Sequence, residues 1–118
     1  MKTKIILVAE DEEFNFRYIV ELLSKSNYNI LHAMNGKQAI EIFKLNDVDI
    51  ILMDLKMPIM DGFEATRHIR SISTSVPIIA QTAYAYMKND CMVSGFSDYI
   101  MKPFKSDRLI ELLKQYTG

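Results

Sequence analysis

Cysteine occurs once in this 118-residue chain, at Cys91, so no internal disulfide forms. No second cysteine or histidine stands at metal-ligand spacing from it, and Cys91 reads as a small helix residue. Charge of neither sign is in excess, since 14 lysines and arginines face 15 aspartates and glutamates. That balance gives no footing for a nucleic-acid backbone or an anionic membrane, and any DNA-binding output is expected to lie outside this domain. Long hydrophobic runs are missing as well. The first apolar run, Ile5-Ile6-Leu7-Val8-Ala9, is too short for a membrane span and carries no cleavage-site pattern, so no membrane insertion and a cytoplasmic setting are expected. No repeat, low-complexity tract or linker-like stretch divides the chain, which reads as one domain over residues 1–118. With 49% hydrophobic and 25% charged residues, it is expected to fold around one core, burying roughly two thirds of the unfolded surface.

Four short runs rich in Ile, Leu, Val and Met have strand length: residues 5–9, 50–53, 77–80 and 99–101. A fifth, residues 29–33, alternates polar and apolar as an edge or half-buried strand would. Between them the apolar spacing becomes helical, as in Phe16, Ile19, Val20 and Leu23, then Ala39, Ile40 and Phe43, then Ala65, His68 and Ile69. A last helix carries Leu109, Ile110, Leu112 and Leu113, with Ser106 or Asp107 placed as its N-cap. Strand then helix, five times over, predicts a parallel α/β sandwich with helices on both faces. Two covered faces explain why the central strands are apolar throughout. In such sheets ligands collect at the carboxyl ends of the strands, where the strand order reverses.

The residues beyond the apolar runs are chemically complementary: Glu10-Asp11-Glu12 after the first, then Asp54, Thr82 and Lys102. A strand leaving the core through a polar residue would explain any one of them, but not all four at one sheet edge. Two unit charges about 5 Å apart repel by roughly 3 kcal/mol at an effective dielectric of about 20, so clustered carboxylates call for a cation. Magnesium fits best, because it takes hard oxygen ligands, needs only one or two carboxylates, and completes its shell with water and phosphate oxygens. A lysine and a threonine hydroxyl across from such a metal supply a positive charge and a hydrogen-bond donor for an incoming phosphoryl group. With no Cys, His or activated Ser in the set, the nucleophile is expected to be a carboxylate.

Glu10-Asp11, Asp54-Leu55-Lys56-Met57-Pro58-Ile59-Met60-Asp61-Gly62, Thr82-Ala83 and Tyr99-Ile100-Met101-Lys102-Pro103-Phe104 together resemble the receiver domain of response regulators. The resemblance covers essentially the whole chain. It implies the flavodoxin-like fold, a five-stranded parallel sheet in the order 2-1-3-4-5. By resemblance Asp54 is the phospho-acceptor, Asp11 a direct magnesium ligand and Glu10 an acidic neighbour acting through water. The backbone carbonyl of Lys56 completes the protein's share of the coordination. Thr82 and Lys102 hold the phosphoryl oxygens, and Tyr99 is the aromatic switch that turns inward when Thr82 is drawn toward the phosphate. Lys56 and Tyr84 stand over the approach of the hydrolytic water and are expected to tune the lifetime of the phosphorylated form. Met57-Pro58 and Asp61-Gly62 shape the loop beyond Asp54, with Gly62 expected at a backbone angle other residues resist. The Lys102-Pro103 bond is expected to be cis.

The resemblance further implies a signalling domain that catalyses only its own phosphorylation and slow autodephosphorylation. The expected partner is a histidine kinase or a histidine phosphotransfer domain, and any homodimer is expected to be weak. Motifs such as Met60-Asp61-Gly62-Phe63-Glu64-Ala65-Thr66-Arg67 are most like receivers of hybrid sensor histidine kinases, so an excised domain is expected over a stand-alone regulator. The segment from Thr82 to Gly95 is slightly short, which predicts a short or irregular fourth helix. His32 and His68 lack ligand partners at useful spacing, and His68 is expected on a helix surface. The methionines are mostly core fillers, and Tyr84 and Tyr86 read equally well as partly exposed packing. Two other functions share some of these features. A haloacid dehalogenase-type phosphatase needs a second Asp two residues after its nucleophile, where Lys56 stands. A flavodoxin-like flavin carrier needs a phosphate-cradling loop where Glu10-Asp11-Glu12 would repel the anion.

Overall fold

In the computed structural model, which describes residues 3–118, the five apolar runs form parallel strands. They are β1 (Lys4–Ala9), β2 (Tyr28–Ala33), β3 (Ile50–Asp54), β4 (Ile78–Thr82) and β5 (Asp98–Met101), hydrogen-bonded in the expected order β2-β1-β3-β4-β5. Each is followed by an α-helix: α1 (Glu13–Leu22), α2 (Gly36–Leu45), α3 (Gly62–Ile72), α4 (Lys88–Val93) and α5 (Ser106–Thr117). Successive strand residues face opposite sides, and both sides are apolar. Leu7, Ile51, Met53, Ile78 and Ala80 pack against Ala39 of α2, Ala65 and Ile69 of α3 and Cys91 of α4. Ile6, Val8, Ile50, Leu52, Ile79 and Ile100 pack against Ile19 of α1 and Leu109, Leu112 and Leu113 of α5. Fully burying each such side chain contributes about 1.5–3 kcal/mol, which ties the sheet to both helical layers.

Register then decides the site. Ala9 is paired with Ala33 and Met53, Asp54 with Gln81, and Thr82 with Met101. Glu10, Asp54, Thr82 and Lys102 therefore leave the sheet side by side, at the edge where the order reverses around β1.

Three local features differ from or refine the sequence reading. Gly62 does not have a positive φ; the described glycines that do are Gly95 and Gly118. Its constraint is close approach instead, because a Cβ there would lie 2.2 Å from the Asp54 carbonyl oxygen. The left-handed residue of this loop is Ile59, at φ 71°. Neither Ser106 nor Asp107 caps α5: the N-cap is Lys105, extended at φ −92° and ψ 159°, and its carbonyl accepts from Leu109 N. Burial of Phe104 just before it fixes where the chain turns, so Ser106 and Asp107 fall inside the first turn, where the Asp107 charge still favours the helix dipole. The fourth helix is short, as expected, and is preceded by a 3-10 turn over Ala85–Met87.

Candidate functional site

Lys102 organises the strand-end residues. Its Nζ donates to Asp54 Oδ2 at 3.0 Å and to Glu10 Oε1 at 3.4 Å, while its backbone N–H donates to Thr82 O at 2.7 Å. Glu10 is fully buried and Asp54 is 8% exposed. Glu10, Asp11 and Asp54 bring carboxylate oxygens within 4.8 Å of one another. Burial and the neighbouring Asp54 charge push the Glu10 carboxyl up to about 7, despite the Glu12 N–H donating to Glu10 Oε2 at 3.1 Å. Burial opposes the charge on Lys102, yet Asp54 and Glu10 more than offset it and hold the ammonium above its usual value. His32 fixes the strand end behind Glu10: its ring stacks on Phe16 at 3.6 Å, and Nε2 donates to the Glu10 carbonyl at 2.7 Å.

The cleft over this cluster has a volume of about 560 Å³ and is lined by Asp11, Asp54, Lys56, Thr82, Tyr84 and Lys102 among others. Glu10 lies beneath it, reached through Lys102. Thr82 Oγ1 accepts from Tyr84 N at 3.1 Å. The Lys56 ammonium sits 5.3 Å from the centre of the Tyr84 ring, a cation–π contact across the mouth. Asp61 caps α3 by accepting from Glu64 N at 2.9 Å, and the Lys102-Pro103 bond is cis, as expected. Tyr99 does not line the cleft. It is half-buried on β5 with Lys88 Nζ 5.5 Å from its ring centre. His68 is exposed on α3, as expected.

Three features escaped the sequence reading. Phe63, Tyr86 and Met87 extend the wall of the cleft, and their placement depends on the turn after Thr82 and on α3, neither of which leaves a spacing signal. Lys88 is the partner of Tyr99. Gln81 is fully buried with Oε1 unpartnered, and its Nε2 makes only a long 3.5 Å contact to the Ala9 carbonyl. A polar residue at the end of an apolar run was the available signal for Gln81.

Comparison with known proteins agrees with this arrangement. The family model described as response regulator receiver domain matches residues 6–114, and the chain belongs to that family. It is 39% identical over 116 residues to the hybrid signal transduction protein dokA of Dictyostelium discoideum, covering 96% of this chain and 7% of that protein's length. Among solved structures, the receiver domain of sensor histidine kinase PA1611 from Pseudomonas aeruginosa superposes with a TM-score of 0.92 at 36% identity, covering 99% of each chain. That structure has a magnesium ion coordinated in its active-site cleft. The receiver domain of Ssk1 from Saccharomyces cerevisiae, crystallised with the histidine phosphotransfer protein Ypd1, gives 0.91 at 27% identity, covering 98% of this chain and 89% of that one. This chain is therefore a receiver domain of the two-component type with the flavodoxin-like fold. No helix among the described residues is long and apolar enough to cross a membrane.

The raised Glu10 carboxyl makes a prediction about metal-free stability. An acid with a folded pKa above its unfolded value binds more protons when folded, so stability falls as pH rises from about 4.5 through about 7 and stays low above that. With a chelator present, Glu10→Gln is expected to stabilise the protein more at pH 8 than at pH 5, by roughly 1–3 kcal/mol. Urea unfolding of parent and variant at the two pH values checks this. Equal effects at both would show that Glu10 does not titrate differently in the folded protein.

Proposed function

We propose that Asp54 accepts a phosphoryl group from the phosphohistidine of a histidine kinase or histidine phosphotransfer domain, and that residues 1–118 form one receiver domain that converts this into a change of surface. The carrying observation is the ion-paired cluster itself, with Lys102 Nζ 3.0 Å from Asp54 and 3.4 Å from Glu10, and Asp11 beside them. Ionised together, three carboxylates and one ammonium leave two negative charges, which a divalent cation would cancel. The all-oxygen donor set suits magnesium. Asp11, Asp54 and the Lys56 carbonyl would hold the ion directly and Glu10 through water, and the ion would neutralise charge on the phosphoryl oxygens.

In the transfer an Asp54 oxygen bonds to phosphorus as the phosphorus–nitrogen bond of the donor breaks, and the electron pair leaves with the imidazole. Lys102 donates to the phosphoryl oxygens. Thr82 Oγ1 already accepts from Tyr84 N, which leaves its own proton to donate. The domain thus catalyses its own phosphorylation and, slowly, its own dephosphorylation. The second Asp that a haloacid dehalogenase-type phosphatase needs is replaced by Lys56, whose ammonium is occupied by the Tyr84 ring.

Small donors test the assignment. With magnesium and an acyl phosphate or phosphoramidate, intact-mass measurement should show one added phosphoryl group, absent in Asp54→Asn and lost in mild base. A base-stable label, or one retained in Asp54→Asn, would reassign the acceptor.

Switching is expected to run from Thr82 to Tyr99, because β4 and β5 are in register where Thr82 meets Met101. Thr82→Ala should still take the label. The hydroxyl's hydrogen bond to the phosphate, about 1 kcal/mol, is what would couple the phosphate to the ring. Amide chemical shifts from Tyr99 through α5 should move on phosphorylation in the parent and barely in the variant; equal shifts would remove Thr82 from the coupling.

Lifetime is expected to depend on the Lys56–Tyr84 contact, which stands over the path of an in-line water. A barrier higher by 1.4 kcal/mol slows hydrolysis about tenfold, so modest shielding suffices. The double replacement Tyr84→Ala with Lys56→Asn should shorten the acyl-phosphate half-life several-fold by mass, and an unchanged half-life would show that neither residue guards the water's path.

A further inference from the structure

The cleft is larger and more apolar than a phosphoryl group and its metal require. A phosphoryl group, one ion and three waters take up roughly 200 Å³ at about 30 Å³ for each water-sized group, well under half of the 560 Å³ available. Besides its charged residues, Glu12 and Asp61 among them, the cleft is lined by the apolar and aromatic Leu55, Met57, Phe63, Tyr84, Tyr86 and Met87. The two tyrosines are packed on each other, their ring centres 5.4 Å apart and inclined at 37°. Tyr84 is 44% exposed and Tyr86 76% exposed, so neither ring is held there by the core. An aromatic pair open to solvent on the wall of a charged site is a surface for a third ring, which would gain an offset or edge contact with them. Lys56 stands over the Tyr84 face within the same cleft, where a departing anion would meet it.

We infer that this cleft selects phosphodonors whose leaving group is an aromatic ring, and that Tyr86, together with Tyr84, sets the preference. The inference rests on the reading of Asp54 as acceptor. With benzoyl phosphate as donor, an Asp54 carboxylate oxygen bonds to phosphorus while the bond from phosphorus to the acyl oxygen breaks. The electron pair leaves on benzoate, whose ring lies against the tyrosines and whose carboxylate faces Lys56. Acetyl phosphate undergoes the same exchange, with acetate leaving, but brings no ring to the wall.

The test is the ratio of phosphorylation rate constants for benzoyl phosphate and acetyl phosphate, followed by intact mass with magnesium. In the parent the ratio should be about ten or more, and it should fall at least fivefold in Tyr86→Ala and in Tyr84→Ala combined with Tyr86→Ala. Melting curves check that the variants remain folded, and the parent ratio is informative without them. A parent ratio near one, or a fall of less than fivefold in both variants, overturns the inference while leaving Asp54 as acceptor. Failure of both donors to label Asp54 overturns the acceptor reading and the inference with it.

Discussion

The ion pairs of Lys102 with Asp54 and Glu10 are what the rest of the site depends on, and they are incomplete compensation. Glu10 and Asp54 have been taken out of water, which disfavours their charged forms, and one ammonium serves both. Two charges within 4.8 Å repel by roughly 3 kcal/mol at an effective dielectric of about 20. The fold tolerates this because both faces of the sheet are closed by apolar helices, and because the Lys102 backbone N–H is bonded to the Thr82 carbonyl, which anchors the base of the lysine beside the pair. The result is a polar end of the sheet held in place although its charges would favour separation. A cation would be drawn to that net negative charge, and with the cation in place the site could take an anionic phosphoryl group.

The fold was legible where burial alone decides structure. Residues 50–53 and 77–80 are apolar on both faces because both are covered, and their lengths match strands. The site was legible for a related reason: a parallel sheet sends the carboxyl ends of its strands to one edge, so Glu10, Asp54, Thr82 and Lys102 had to converge once the topology was read. What could not be read depends on tertiary packing. The α5 start is set by burial of Phe104 and not by the best capping side chain nearby. Gly62 is required by a carbonyl eight residues earlier, the Asp54 oxygen that a Cβ would strike, and no local pattern encodes that distance. Tyr86 and Met87 reach the cleft through a 3-10 turn, and Phe63 through α3, neither of which has a sequence signature for its direction.

Gln81 shows the same limit from the opposite side. It occupies an inward position at the end of β4, between Thr82 and the apolar run, with one amide atom weakly engaged and the other unpartnered. A buried unpaired carbonyl costs about 1–3 kcal/mol, so an apolar residue of that shape would suit this conformation better. Gln81 lines both the cleft over the carboxylates and the neighbouring cleft beside Tyr18 and Phe104, so its polar end borders the site and not the apolar core alone.

The two halves of the cleft differ in how firmly they are held, and that difference divides their roles. Glu10, Asp54 and Thr82 are buried at strand ends, where a substitution changes the charge balance or hydrogen bonding of the whole cluster. Lys56, Tyr84 and Tyr86 project from a loop and a short turn into solvent, where replacement is usually within about 0.5 kcal/mol of neutral for stability. On the proposed reading, acceptance of the phosphoryl group would belong to residues packed into the sheet edge. On the same reading, lifetime and choice of donor would belong to exposed residues, so on this scaffold they could change without rebuilding the acceptor.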